Sequence, residues 1–216
     1  MNRAPIRTRV VLLDWDGTLL DSYAADQRAY LAMFRGLGIE WSPREIDRHY
    51  SPDWYRVYRA AKIPRVHWDR ADRLWRAAYR AERPPLLAGA RAALRLLRRR
   101  FELGMVTAGS RERVRRQLRE FGLRDHFSAC VFSEDTRRKK PHPAPLELAL
   151  ERLGAAGEEC VYVGDAPADI EMARRAGVRA IGVLGPFPSA AQIRDARPDL
   201  LLRSIRDLPR YLCVPG

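Results

Sequence analysis

Cysteine, histidine and lysine are scarce in this chain of 216 residues, and each shortage closes a class of function. The three cysteines, Cys130, Cys160 and Cys213, are an odd, widely spaced set without a CxxC pair. They build neither a disulfide framework nor a zinc site and read as small core residues. His49, His67, His126 and His142 fall at no metal-ligand spacing. Long apolar runs are missing too: the longest charge-free stretch, Ala180 to Ile193, contains Pro186 and Pro188 and cannot form a bilayer-spanning helix. The first apolar run, Val10 to Leu13, meets Asp14 after four residues, too early for a secretory signal. The expectation is a reduced, cytoplasmic protein with no membrane partner.

The lysine shortage is the reverse of an arginine excess. Of 40 basic residues only Lys62, Lys139 and Lys140 are lysines, and against 27 acids the net charge is +13. Such a balance suits a nucleic-acid partner. Yet the arginines are spread along the chain with acids between them, and only Arg98-Arg99-Arg100 and Arg137-Arg138-Lys139-Lys140 form dense runs. No Cys/His finger or aromatic RNA-binding signature accompanies them, so the excess reads as a solvated surface and no nucleic-acid partner is expected.

A hydrophobic share of 46% suits one core-bearing domain, or one domain with a modest insertion. Short apolar runs read as buried strands at Arg9–Leu13, Leu103–Val106, Ala129–Phe132, Cys160–Val163 and Ala180–Leu184. Helical patterns lie between the later ones: Ser110 to Phe121 stopped by Gly122, Pro145 to Leu153 by Gly154, and Pro167 to Ala176 by Gly177. This alternation predicts an α/β fold, a Rossmann-like parallel sheet with helices on both faces. The long gap between Thr18 and Leu87 is the exception and reads as helices over Tyr23–Arg35, Pro43–His49, Pro52–Ala61 and His67–Glu82. Ser42-Pro43-Arg44-Glu45 is a capping box with proline at the first helical position, and Ser51-Pro52-Asp53 opens the next helix similarly. Trp41, Trp54, Trp68 and Trp75 all fall here and read as the core of an all-helical insertion. The division is a core of 1–19 with 85–216 and an inserted helical domain of 20–84.

Four features sit at the C-terminal ends of four predicted strands, the edge where open parallel sheets bind ligands. They are Asp14-Trp15-Asp16-Gly17-Thr18, Thr107, Lys140-Pro141 and Gly164-Asp165-Ala166-Pro167-Ala168-Asp169. Singly each is weak. The first is not a calcium loop, because an EF-hand needs acids where Thr18 and Ala25 stand. Together, in this order, they resemble the haloacid dehalogenase superfamily, in its phosphatase branch with a helical cap inserted after the first motif. The similarity runs through Pro85-Leu86-Leu87-Ala88-Gly89, where the cap returns to the core, to Arg197-Pro198-Asp199-Leu200 and Leu208, which resemble the family's last strand and helix. The chain departs from many relatives in having Ala108 after Thr107 and a Tyr50-Ser51-Pro52-Asp53-Trp54-Tyr55 stretch in the cap.

The resemblance implies a phosphoglycolate-phosphatase-like enzyme, a monomer or homodimer, that hydrolyses a small phosphorylated metabolite with Mg²⁺. Phosphoryl transfer needs neutralised equatorial oxygens, in-line positioning and a proton for the leaving group. Asp14 is placed as nucleophile and Asp16 as the acid and then base. Asp14, the Asp16 carbonyl and Asp165 supply the oxygen ligands that Mg²⁺ prefers. Thr107 offers a hydroxyl to phosphate, and Ala108 and Gly109 offer amides at a helix start. Lys140, which precedes proline as in the family motif, adds a fixed cation held by Asp169, while Lys139 reads as solvated. Gly164 supports that turn, and Asp169 reads equally as an acid in the first turn of its helix. Tyr50, Trp54 and Tyr55 are the candidates for substrate selection. The competing activities are a sugar-phosphate mutase or a phosphonatase, with Lys62 the sole lysine that a cap Schiff base would have, and, in another class, a non-catalytic arginine-rich nucleic-acid-binding module.

Overall fold

The structure is a computed structural model that describes residues 8–51, 53–188 and 190–212. Pro52 and Cys213 therefore lie outside the described residues. The chain divides into two compact units, Met1–Leu20 with Leu86–Gly216, and Asp21–Pro85. The first division falls after Leu20 because Leu20 pairs with Leu86 in an antiparallel bridge, and the Leu87 amide bonds the Leu19 carbonyl at 2.9 Å.

The larger unit is built on six parallel strands: β1 Val10–Leu13, β2 Glu102–Val106, β3 Ala129–Val131, β4 Cys160–Gly164, β5 Arg179–Val183 and β6 Leu200–Leu202, in the order β3-β2-β1-β4-β5-β6. β1 is aliphatic throughout and wholly buried, as a central parallel strand covered on both faces requires. Its pleat sends Val11 and Leu13 into one apolar cluster and Val10 and Leu12 into another. The first cluster takes Leu94 and Leu97 of α5 (Ala90–Leu97), Val114 and Leu118 of α6 (Arg111–Glu120) and Leu208 of α10 (Leu208–Leu212). The second takes Leu146 and Ala149 of α7 (Ala144–Leu153), Ile170 and Ala173 of α8 (Pro167–Arg175) and Ile193 of α9 (Ala190–Asp195). The architecture is the Rossmann-like α/β sheet with helices on both faces. Helices α5 and α9 are additions to the elements expected from sequence.

The smaller unit is all helical: α1 Tyr23–Gly36, α2 Pro43–His49, α3 Trp54–Ala60 and α4 Trp68–Tyr79. Ser42 and Glu45 form the reciprocal cap of α2, the Glu45 carboxylate accepting from the Ser42 amide at 2.6 Å. α3 starts later than expected, because Asp53 rather than Ser51 caps it by accepting from the Tyr55 amide at 3.2 Å. Its core is Tyr30, Met33, Phe34, Ile46, Val57, Tyr58, Ile63 and Ala71, with all four tryptophans half-buried against it. Among the described residues no helix is long and apolar enough to cross a membrane.

Candidate active site

Strand order reverses between β1 and β4, the switch point where ligands bind in open α/β sheets. Asp14 follows β1 and Asp165 follows β4, and the register pairs Leu13 with Val163, so the two carboxylates leave adjacent strands at one level. With Asp169, from the first turn of α8, they each present an oxygen within 4.8 Å of the other two. All three are buried.

Lys140 closes this triad. Its Nζ lies 2.9 Å from Asp14 Oδ1, 2.8 Å from Asp169 Oδ1 and 2.7 Å from the Tyr162 hydroxyl, so each of its N–H groups has an oxygen partner. The Tyr162 hydroxyl in turn donates to the Val106 carbonyl at 3.0 Å. Asp169 plays both parts expected of it, since its other oxygen accepts from the Ala166 amide at 3.1 Å and closes the first turn of α8. Gly164 makes room: a Cβ there would meet the Asp169 side chain at 2.5 Å. Asp165 is steadied by the Thr18 hydroxyl, which donates to it at 3.2 Å. Gly17, at φ +78°, lets the chain turn against Asp165, whose oxygen a Cβ would approach to 2.2 Å.

Three buried carboxylates against one ammonium leave excess negative charge. Burial, reinforced by Asp169 and only partly offset by Lys140, pushes the Asp14 carboxyl up to about 7. Burial, then Asp169 and Asp14, holds Asp165 well above the usual carboxylate range. For Lys140 burial opposes the charge, but Asp14 and Asp169 outweigh it and raise the ammonium above the ordinary lysine value. An all-oxygen donor set with this surplus fits a hard divalent cation.

Asp16 is directed elsewhere. Its carboxylate meets the Arg113 guanidinium of α6 in two bonds, 2.8 and 2.6 Å. Thr107 is buried after β2, and its hydroxyl accepts from the Gly109 amide at 2.9 Å. The Gly109 amide of the expected anion site is thus engaged within its own turn, and Glu134 accepts from the Arg111 amide at 3.0 and 3.1 Å. The Ala108 amide and the Thr107 hydroxyl proton are donors this turn can offer. Lys139 is not solvated: it is half-buried and donates to the carbonyls of Ser133 and Thr136, inside the loop that delivers Lys140. Tyr50, Trp54 and Tyr55 lie in the helical unit, half-buried against its own core, with Tyr55 stacked on Trp68 at 4.7 Å. Cys160 is buried in β4 and Cys130 half-buried. Sequence reading missed Tyr162, Thr18 as a partner of Asp165, and Arg113. A lone tyrosine inside an aliphatic strand was the signal for the first.

A family model for haloacid dehalogenase-like hydrolases matches residues 8–177. A pyrophosphatase, PpaX, of Bacillus pumilus is 31% identical, covering 96% of this chain and 97% of the relative. A phosphoglycolate phosphatase of Escherichia coli is 34% identical over 113 residues, 52% of this chain and 45% of that one. A solved haloacid dehalogenase-like family hydrolase of Streptococcus pneumoniae has the same fold, with a TM-score of 0.83 at 20% identity over 94% of this chain and 98% of that one. The chain belongs to the haloacid dehalogenase-like hydrolase family, as an enzyme of its phosphatase branch.

Proposed function

We propose that this enzyme is a Mg²⁺-dependent phosphatase of a small phosphorylated metabolite, phosphoglycolate-phosphatase-like, that works through a phosphorylated Asp14 in the cytoplasm. The observation that carries the reading is the geometry at the switch point: Lys140 bonds one oxygen of Asp14 beside buried Asp165 and Asp169, while Asp16 is held outside that triad. Lys140 fixes the Asp14 carboxylate, whose other oxygen attacks phosphorus as the bond to the leaving oxygen breaks. Asp16 gives that oxygen a proton, then takes one from the water that attacks phosphorus and frees Asp14 and inorganic phosphate. Thr107, the Ala108 amide and Lys140 bind the phosphoryl oxygens. Mg²⁺, held by Asp14, Asp165 and the Asp16 carbonyl, supplies charge neutralisation for the phosphoryl group. In this reading Asp169 orients Lys140 rather than serving as a ligand.

The helical unit selects substrate in this reading, with Tyr50, Trp54 and Tyr55 as its candidates. Substituting them should reorder preference among metabolites and spare a generic aryl phosphate.

Similarity to a pyrophosphatase along nearly the whole chain gives inorganic pyrophosphate a place as a second substrate class. The test is phosphate release from a panel of phosphometabolites, including phosphoglycolate and pyrophosphate, with Mg²⁺ and with excess chelator. Release that needs Mg²⁺ supports the reading. Isomerisation of a sugar phosphate without release points to a mutase, phosphonate cleavage to a phosphonatase, and inertness towards every substrate to a binding module.

A further inference from the structure

The first motif loop carries two acids two residues apart, and each has its own cation delivered by a different element. Asp14 meets Lys140, from the loop before α7, and Asp16 meets Arg113, from the first turn of α6. The Arg113 contact is a two-pronged one, with Nη1 2.8 Å from Oδ1 and Nη2 2.6 Å from Oδ2, and the arginine side chain is 11% exposed. A fork of this kind fixes the plane of a carboxylate, where a single ammonium would fix only its distance.

The fork is itself braced. Gln117, one turn along α6 and buried, accepts through Oε1 from Arg113 Nη1 at 3.4 Å and from the indole N–H of Trp15 at 2.9 Å. Trp15 and Asp16, the two residues that follow the nucleophile, are thus both tied to one face of α6. Room for the guanidinium comes from Gly109, where a Cβ would lie 2.4 Å from Arg113 Nη2. The turn that carries Thr107 and Ala108 is therefore also the wall against which Arg113 rests.

We propose that Arg113, braced by Gln117, is a positioning residue for Asp16. It draws that carboxylate away from the buried triad and fixes the direction in which the side chain is presented for proton transfer. A fourth carboxylate turned toward Asp14, Asp165 and Asp169 would add charge where there is already a surplus; the Arg113 pair keeps the acid–base group apart from the nucleophile. The inference rests on the reading of Asp16 as acid and base.

The test is kcat/KM for para-nitrophenyl phosphate and for phenyl phosphate, whose leaving group needs the proton more, measured with Mg²⁺ for Arg113→Met, Arg113→Lys, Asp16→Asn and the double variant Asp16→Asn/Arg113→Met. Asp16→Asn should lower the phenyl phosphate value by about 10²–10⁴-fold, the usual scale of acid–base help, and spare the nitrophenyl ester comparatively. Arg113→Met should show the same selectivity at roughly 10–100-fold, with Arg113→Lys recovering part of the loss. In the double variant the Arg113 change should add no more than about twofold, because residues that act through one another are not additive. Equal losses on both esters from Arg113→Met and Arg113→Lys, or additive losses in the double variant, would overturn the inference while leaving Asp16 its role. An Asp16→Asn variant that does not distinguish the esters would remove that role, and the inference with it.

Discussion

A buried carboxylate needs a partner, and at this sheet edge Asp14 and Asp169 share one lysine beside a third, Asp165. The residues that make this tolerable are not the charged ones alone. Thr18 bonds Asp165, and the Tyr162 hydroxyl accepts a hydrogen bond from Lys140 while donating one to the Val106 carbonyl. Thr18→Val removes the group that orients one proposed metal ligand. Orienting partners of ligands are typically worth 10–100-fold in metal affinity, so half-maximal activity should need about 10–100 times more Mg²⁺, with little change at saturation. A metal titration checks this, and an unchanged requirement would make Thr18 a packing residue. Tyr162→Phe leaves the Val106 carbonyl and one Lys140 proton without that hydroxyl, so stability should fall by about 1–3 kcal/mol in denaturant unfolding.

The loop between β3 and α7 shows how elements place a residue. It brings Lys140 to the triad and is pinned from both sides. Asp135 accepts from the Phe132 amide at 2.8 Å and from Arg152 of α7 at 3.2 Å, and it also pairs with Arg111 of α6. Asp135→Ala frees the loop at all three points. It should lower stability by about 1 kcal/mol, chiefly through the lost Phe132 amide bond because both arginines are over a third exposed and their ion pairs are screened, and reduce turnover with it. Denaturant unfolding beside a rate assay would show this, whereas loss of stability with full turnover would mean that Lys140 is placed without the pin. Elements of this kind were unevenly legible in sequence. Five strands were readable as short apolar runs and β6 through the family resemblance; Asp14 and Asp165 stood out because each follows a strand end, and Lys140 because it precedes proline as in the family motif. Helix α5 has apolar residues Ala90, Ala93, Leu94 and Leu97 on one face, but it starts from Gly89 in a left-handed conformation without a polar cap, so no start signal marks it. Arg113 was hidden for a different reason. One arginine among 37 carries no distinguishing mark until the fold sets it opposite Asp16.

For the molecule as a whole, the excess acid at the switch point links stability, pH and metal. The folded Asp14 carboxyl is raised to about 7 from an ordinary 3.8, chiefly by burial, so between those values the metal-free folded state binds more protons than the unfolded chain. Stability from this group is therefore full below about pH 4 and is lost as pH rises through 7. A cation that needs the ionised carboxylates reverses the trend. Mg²⁺ at about 100 times its dissociation constant adds about 2.7 kcal/mol, which for a chain of this size raises Tm by roughly 5–10 °C. That shift should appear at pH 8 and shrink strongly at pH 5. A shift equal at both would place Mg²⁺ away from these carboxylates.

In the proposed mechanism Asp14 carries the phosphoryl group and Asp16 handles its protons. Intact-protein mass after brief exposure to para-nitrophenyl phosphate with Mg²⁺ tests it most directly. Asp16→Asn keeps the nucleophile but lacks the base for water, so the protein should gain one phosphoryl group and lose it slowly. Asp14→Asn should gain none. A phosphorylated Asp14→Asn protein would show that the nucleophile lies elsewhere.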